Sequence, residues 1–234
     1  MPVRQHAPEV WSIAHPFRVG GLDLGARTTV VRLHDGQLAL HSPGPLGDDD
    51  AAAIGQLGRV GLILAPNLLH HRFIADARRR FPDARLVAPA GLADKRRDLV
   101  VDLPLALDQA HAPALPQLDD TLAPIAIAGM PKLDEIVWLH RPSKTLLVGD
   151  LVFNLRPPRP WLTRTVMKLN GAWDRFGPSK IFRRLVRDRA ALRRGVEQIL
   201  QHDFERVMVV HGEVLEENAR AALRDAFAWL LSAA

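Results

Sequence analysis

Four short apolar runs constrain the fold of this chain most strongly. They are VGLIL at 60–64, EIVWLH at 135–140, TLLV at 145–148 and RVMVV at 206–210. Each has the length of a buried strand, whereas a helix needs about ten residues or more. Segments of helical composition follow several of these strands, so we predict an α/β protein built in layers.

Weaker patterns add further elements. The runs 28–33 and 37–41 flank an Asp-Gly pair and predict a β-hairpin. Asp48, Asp49 and Asp50 precede an alanine-rich run and predict a capped helix. The other predictions are strands at 85–88 and 125–127, helices at 68–81, 187–201 and 215–231, and mostly loop over 102–124. No flexible linker or internal repeat is visible, so we expect one domain over residues 1–234.

The composition limits the kinds of site and location that we expect. The 234 residues include no cysteine, which removes disulfides, thiolate zinc sites and cysteine nucleophiles. Any metal must therefore be held by His, Asp or Glu. No apolar segment reaches the ~20 residues that span a bilayer, and the N-terminal stretch lacks the continuous apolar run of a secretory signal. We therefore expect a soluble, cytoplasmic protein.

The positive charge is unevenly placed. The formal net charge is +5, and the segment 155–195 holds 12 Lys and Arg residues against Asp174 and Asp188. Trp, Leu and Met interleave with these cations, which predicts a basic, amphipathic helical insertion at about 155–195. We interpret it as a lid over an anionic substrate, with contact to an anionic surface as the alternative. No recognised nucleic-acid-binding module is visible.

Polar side chains follow several predicted strands at the point where each strand ends. Ligands of layered α/β proteins bind outside the carboxyl ends of strands. The residues at such positions are His41, Ser42, Asn67, His70, His71, His140, Asp150 and His211. Several are of metal-ligating types, so we predict that they converge on one site. The alternatives are structural: a helix start at the histidine pair, and turns or caps at Asn67, Asp150 and His211. We expect five other histidines at the surface, namely His6, His15, His34, His111 and His202.

The order of these motifs is similar to that of the metallo-β-lactamase-fold hydrolases. A strand and a His-containing loop come first, then LLVGDLVFN, then VMVVHGE. The patterns LHSP, APNLLHH, FPDARL and LHRPSKTLLVGDLVFN resemble more closely an uncharacterised branch of that superfamily, a domain of unknown function. The resemblance covers about 28–231. It implies a metallo-β-lactamase-like four-layer αββα sandwich that acts as a hydrolase.

The resemblance also implies a reduced metal site. The superfamily motif His-x-His-x-Asp-His falls on residues 66–71, where Pro66 and Leu68 replace its first two histidines. A third histidine expected near Met130 and Pro131 is absent as well, so the ligands of one metal position are missing. The other position would use His70, His71, Asp150 and His211. We expect one divalent metal there, with zinc first and iron or manganese as alternatives.

The same resemblance suggests roles for nearby residues. Glu135 or His140 would carry a proton or orient a ligand, and Asn67 would fix a histidine ring or polarise a substrate oxygen. A bound metal would activate water for hydrolysis of an ester, lactone or phosphodiester in a small-molecule substrate, an anionic one being preferred. The alternative is a catalytically inactive scaffold of the same fold that binds an anionic partner through its basic face.

Overall fold

The computed structural model of the chain describes residues 2–106 and 121–232. The strands of this part of the chain are β1 Arg4–Ala7, β2 Val10–His15, β3 Arg18–Val19, β4 Leu22–Asp23, β5 Ala26–Arg32, β6 Leu38–His41, β7 Val60–Leu64, β8 Arg85–Pro89, β9 Leu103–Leu105, β10 Leu122–Ile127, β11 Glu135–His140, β12 Thr145–Val148 and β13 Arg206–Val209. Its helices are α1 Asp48–Leu57, α2 Ile74–Arg80, α3 Gly91–Lys95, α4 Trp161–Leu169, α5 Lys180–Leu185, α6 Arg189–Gln201, α7 Ala219–Ala226 and α8 Ala228–Leu231.

The strands form two large sheets and one small hairpin. The first sheet has the order β1-β2-β5-β6-β7-β8-β9, and the second has the order β10-β11-β12-β13. The run from β6 to β9 is parallel, and β12 is parallel to β13. The hairpin of β3 and β4 lies outside both sheets. Since parallel strands end at the same edge of their sheet, the loops after β6, β7, β12 and β13 are available to build a common site.

Apolar side chains pack in three layers between four layers of secondary structure. One cluster lies between the sheets and includes Leu62, Leu64, Trp138, Leu147 and Met208. A second joins the first sheet to its helices through Ile54, Ile74 and Leu92. A third joins the second sheet to α6, α7 and α8 through Leu192, Leu223 and Leu230. The predicted αββα order is therefore observed, and the apolar runs are continuous because helices cover both outer faces.

Most predicted strands are confirmed. β7, β11 and β12 have the predicted bounds, and β13 ends one residue earlier than predicted, at Val209. The predicted hairpin forms from β5 and β6, which pair antiparallel. Helix α1 carries its three aspartates in the first turn, as predicted from their position. The segment 155–195 contains α4, α5 and the first part of α6.

Two predicted helices are wrong in extent. The helix expected at 68–81 begins only at Ile74, because the Asn67 side chain accepts hydrogen bonds from the backbone of Leu69 and His70 and holds a turn there. The helix expected at 215–231 begins at Ala219, since Leu215 forms a β-bridge with Val207. Of the predicted loop at 102–124, residues 107–120 lie outside the described residues, and β9 and the start of β10 occupy part of the rest.

Two histidines expected at the surface are buried. His15 is 5% exposed and hydrogen-bonds to Thr28, and the His6 ring bonds to Ser12 and Glu216. His111 lies outside the described residues. Within residues 2–106 and 121–232, no helix has the length and apolar character needed to cross a membrane.

Candidate metal centre

The carboxyl ends of three strands bring His70, Asp150 and His211 together. His70 lies in the loop after β7, Asp150 follows β12, and His211 follows β13. One ligand atom from each lies within 4.8 Å of the other two. Among the residues that the structure describes, this is the one group of three or more His, Asp or Glu side chains with such spacing.

The Asp150 carboxylate lies between the two imidazoles. Its Oδ2 is 3.1 Å from His70 Nε2, and its Oδ1 is 3.7 Å from His211 Nε2. The two rings have their centroids 5.2 Å apart. All three side chains are largely buried, with exposed fractions of 12%, 14% and 5% in chain order. The arrangement presents two nitrogens and a carboxylate to one small volume.

The second nitrogen of each ring is held by the protein. His211 Nδ1 donates to the carbonyl of Gly25 at 2.6 Å, which leaves its Nε2 with a free lone pair. His70 Nδ1 is 2.8 Å from the Ser42 hydroxyl. Phe17 and Phe153 stack on the His211 ring, with centroids at 5.9 and 5.7 Å. Such contacts orient the rings of metal-ligating histidines in proteins.

The charges of the cluster favour an ion pair in the metal-free chain. Burial would lower the pKa of His70, but the Asp150 carboxylate outweighs burial and raises it. Burial would raise the pKa of Asp150, but His70, His211 and Asn67 lower it below its ordinary value. Burial lowers the pKa of His211 to about 4, so this ring is neutral at pH 7 and able to ligate.

Glu135 anchors the turn that carries Asp150. Its carboxylate is fully buried and accepts hydrogen bonds from the backbone N–H groups of Gly149, Asp150 and Leu151 at 2.9 to 3.1 Å. Asn67 Nδ2 donates to both Glu135 and Asp150, at 3.1 and 3.0 Å. Burial, followed by the negative charge of Asp150, raises the pKa of Glu135 to about 7. Asn67 therefore contacts both carboxylates, and its predicted roles toward a histidine ring or a substrate oxygen stay predictions.

The structure places His71 and His140 away from the cluster. His71 was predicted as a fourth ligand, but its Nδ1 is 2.8 Å from Arg96 Nη1 and its ring is not in the group of three. Burial, with Lys95 and Arg96 nearby, lowers its pKa. His140 was predicted as the alternative to Glu135 for carrying a proton or orienting a ligand. It lies at the opposite end of β11 from Glu135, and its Nδ1 is hydrogen-bonded to the Ser143 hydroxyl. At about 3.3 Å per residue, five residues separate the two by about 17 Å.

The positions of the missing superfamily ligands are apolar. Met130 is 1% exposed and packs in the core with α6 and β11. Pro66 is buried, and Leu68 packs against the core of the first sheet. Among the residues that the structure describes, the two histidines and one carboxylate of this group therefore fit one metal ion. Zinc, iron and manganese are all found with such ligands.

A cavity of about 300 Å³ opens over the cluster. Its wall includes His70, Asp150 and His211, together with Ser42 and Arg72. The apolar part of the wall includes Phe17, Val19, Leu24, Pro43, Leu69 and Phe73. No residue of 155–195 belongs to the wall among the described residues, so the cation at this cavity comes from elsewhere in the chain.

Of the residues around the cluster, Ser42 gave a signal in the sequence, whereas Gly25, Phe17 and Arg72 gave none. Ser42 follows a predicted strand and was identified as a polar strand-end residue. Gly25 acts through its carbonyl, which every residue has, and Phe17 precedes a two-residue strand that periodicity does not reveal. Arg72 stood in a segment interpreted as helix, where an arginine is ordinarily solvated.

Comparisons with known proteins agree on the fold. A family model described as "Domain of unknown function (DUF4336)" matches residues 7–170. The structure is similar to a metallo-β-lactamase from Pontibacter korlensis, with 14% identity, 99% of each chain covered and a TM-score of 0.64. It is similar to the metallo-β-lactamase FIM-1 from Pseudomonas aeruginosa in its mono-zinc form, with 13% identity, 99% of this chain and 93% of that chain covered, and a TM-score of 0.63.

A flavodiiron protein from Giardia intestinalis is also similar, with 13% identity, a TM-score of 0.68, and 98% of this chain and 59% of that chain covered. No protein with a curated description matches the sequence significantly. At such identities the similarity establishes the fold, and the predicted metallo-β-lactamase-like αββα sandwich is confirmed.

Proposed function

We propose that this chain, which belongs to the family described as Domain of unknown function (DUF4336), is a hydrolase that uses one divalent metal held by His70, Asp150 and His211. The observation that carries the proposal is the Asp150 carboxylate, which faces one imidazole Nε2 with each of its oxygens. Two histidines and a carboxylate leave open positions for water and substrate, which is the arrangement of catalytic rather than structural metal sites. Zinc is our first choice of metal, with iron or manganese as alternatives.

A divalent metal at such a site supplies a Lewis acid and makes water nucleophilic near neutral pH. The residues of this chain supply the rest. Burial lowers the pKa of His70 but Asp150 outweighs burial and raises it, so protons compete with a metal for this ring. Ser42 and the Gly25 carbonyl fix the two rings, and Glu135 fixes the Asp150 turn. Phe17 and Phe153 stack on the His211 ring and help to fix its orientation.

The reaction that fits these parts is addition of water across an ester, lactone or phosphodiester bond. The water oxygen bonds to the acyl carbon or phosphorus, and the leaving oxygen receives a proton. Glu135 is fully buried and engaged with four donors, so in this proposal it positions Asp150 and does not touch substrate. A small molecule suits the cavity, whose volume of about 300 Å³ is at the lower end of the ~300–1,000 Å³ typical of ligand pockets.

Metal analysis tests this proposal directly. Protein purified without chelator should contain about one equivalent of a transition metal, and the chelator-treated chain should take up about one equivalent of zinc. The variants H70Q, D150N and H211Q should each lose most of this uptake. H71Q is the matched control, because His71 is the adjacent histidine and its ring contacts Arg96. H71Q should therefore take up as much zinc as the wild type.

The outcomes separate the proposal from its rival. Zinc uptake below about a tenth of an equivalent would favour the alternative, a catalytically inactive scaffold. Loss of uptake in H71Q with retention in H70Q would show that the ligand set is wrong. Loading followed by turnover of p-nitrophenyl esters, lost on chelation and restored by zinc, would support hydrolysis.

A further inference from the structure

Among the described residues that line the cavity over the cluster, one arginine side chain has no hydrogen-bonding or ion-pair partner. Four polar residues of its wall, Ser42, His70, Asp150 and His211, bond to one another or to the backbone. Arg72 differs, because its exposed guanidinium has no hydrogen-bonding or ion-pair partner within the described residues. Many other arginines of the chain are paired; Arg96, for example, is bound to Asp98.

Two aromatic rings hold this cation at the wall of the cavity. The Arg72 guanidinium carbon lies 6.0 Å from the Phe17 ring centroid and 5.6 Å from that of Phe73. The two rings meet edge to face, with centroids 6.1 Å apart. Phe17 also stacks on His211, so a single ring contacts both the cation and the metal centre. A guanidinium placed by its ring contacts keeps its N–H donors free for a planar anion such as a carboxylate.

The remaining wall is apolar. Val19, Leu24, Pro43 and Leu69 line the same cavity as Arg72 and the cluster, and Val19 and Leu69 are about half exposed. An apolar group in this space would bury these side chains, which contributes favourable binding free energy in proportion to the area covered. The cavity therefore combines an apolar wall, the Arg72 guanidinium and the candidate metal-binding group of His70, Asp150 and His211 within one small volume.

We propose that the substrate joins an apolar body to an anionic group, with the body against the apolar wall and the anion on the Arg72 guanidinium. An anionic acyl ester, such as a monoester of a dicarboxylic acid, has this chemistry. Recognition of the amphiphilic anion rests on the cavity alone, whereas its cleavage rests on the proposed function. Arg72 is accordingly a specificity-determining residue and not a ligand of the metal.

Binding to the metal-free chain tests recognition without catalysis. Hexane-1-sulfonate carries an apolar chain and an anion that coordinates metals weakly, and ethane-1-sulfonate and 1-hexanol each lack one of these two features. In NMR titrations, the wild-type chain should bind hexane-1-sulfonate more tightly than ethane-1-sulfonate, with up to about fourfold gained for each added methylene. R72Q should weaken hexane-1-sulfonate about fivefold or more and leave 1-hexanol unchanged.

Two further variants keep the test sharp. R18Q removes the same charge from a neighbouring exposed arginine that does not line the cavity, and it should bind hexane-1-sulfonate like the wild type. R72K keeps a positive charge but loses the planar donor pair, so its affinity should be intermediate. Wild-type affinity for hexane-1-sulfonate in R72Q, or equal losses in R72Q and R18Q, would overturn the assignment of Arg72.

A second measurement connects recognition to cleavage. The zinc-loaded chain should hydrolyse mono-p-nitrophenyl adipate with a higher kcat/KM than p-nitrophenyl hexanoate. R72Q should lose this preference, and R18Q should keep it. Hydrolysis with no preference for the anionic ester would overturn this inference and leave the proposed function standing. Arg72-dependent sulfonate binding without metal uptake or hydrolysis would overturn the proposed function and leave anion recognition standing.

Discussion

Asp150 is the residue on which the candidate centre depends most. It faces both imidazoles, accepts from Asn67 through its side chain, and donates its backbone N–H to Glu135. The protein thus fixes this side chain and its backbone independently. Preorganisation of this kind matters because a metal site loses affinity when its ligands must be ordered at the moment of binding.

The Ser42 hydroxyl gives a residue-scale prediction about metal affinity. Ser42→Ala removes the partner of His70 Nδ1, so the ring is held less firmly and zinc affinity should fall about tenfold, within the ~10–100-fold range of such contacts. Competition with a fluorescent zinc chelator measures the change. Ser143→Ala is the matched control, because the Ser143 hydroxyl contacts His140 Nδ1 in the same way and His140 is not part of the cluster. Equal affinities in the S42A variant and the wild type would show that Ser42 does not orient the ligand.

Residue identity predicted the chemistry of the centre, but not which of two adjacent histidines faces it. His70 and His71 have equal standing in APNLLHH, and a helix starting at residue 68 would direct them about 100° apart. In the structure the Asn67 side chain holds a turn, which directs His70 to Asp150 and leaves His71 beside Arg96. Such a turn depends on one side-chain oxygen, so periodicity cannot reveal it.

At the scale of elements, strands were predicted better than helix boundaries. β7, β11 and β12 are covered on both faces, so their apolar runs end where burial ends and the bounds can be taken from the sequence. The predicted start of the helix at 215–231 is wrong, because Leu215 forms a β-bridge with Val207 of β13. Alanine-rich composition does not exclude such a contact. Long-range pairing of this kind is invisible to local patterns.

Gly129 gives a prediction at this scale, because it lets the loop before β11 approach α6. Its φ is +90°, and a Cβ there would lie 2.2 Å from the carbonyl oxygen of Asp188, the N-cap of α6. Gly129→Ala should therefore lower the free energy of unfolding by about 2–4 kcal/mol. Gly55→Ala is the control: Gly55 is exposed within α1 with nothing within 4 Å, so the change should raise stability by about 0.5–1 kcal/mol. Urea unfolding measures both, and a neutral Gly129→Ala would refute the close approach.

At the scale of the whole molecule, the four-layer order followed from the motif order, but the burial of several histidines did not. His15, His41 and His140 are enclosed within or beside the sheets, with exposed fractions of 5%, 0% and 0%. Neither ring nitrogen of His41 has a hydrogen-bonding partner within the described part of the chain. Sequence patterns identify strand ends as polar positions, yet they do not show whether a side chain there faces solvent or the space between two sheets.

Each of these buried rings contributes stability that acid removes. Their contribution opposes that of His70 and Glu135, whose raised pKa values favour the folded chain as the pH falls. Burial lowers the pKa of His15, His41 and His140 from 6.5, and that of His41 to about 3. The folded chain keeps these rings neutral while the unfolded chain binds protons, so stability is fully present above pH 6.5 and is lost as the pH falls. For His41, with a pKa of about 3 in the folded chain, the loss approaches about 1.4 kcal/mol per pH unit below pH 6.5. Urea unfolding of the metal-free chain at pH 7.5, 6 and 5 should show it. His41→Leu should lose less stability than the wild type between pH 7.5 and 5, and His34→Gln, at an exposed position, is the matched control. An unchanged slope in the His41 variant would mean that His41 is already protonated in the folded chain.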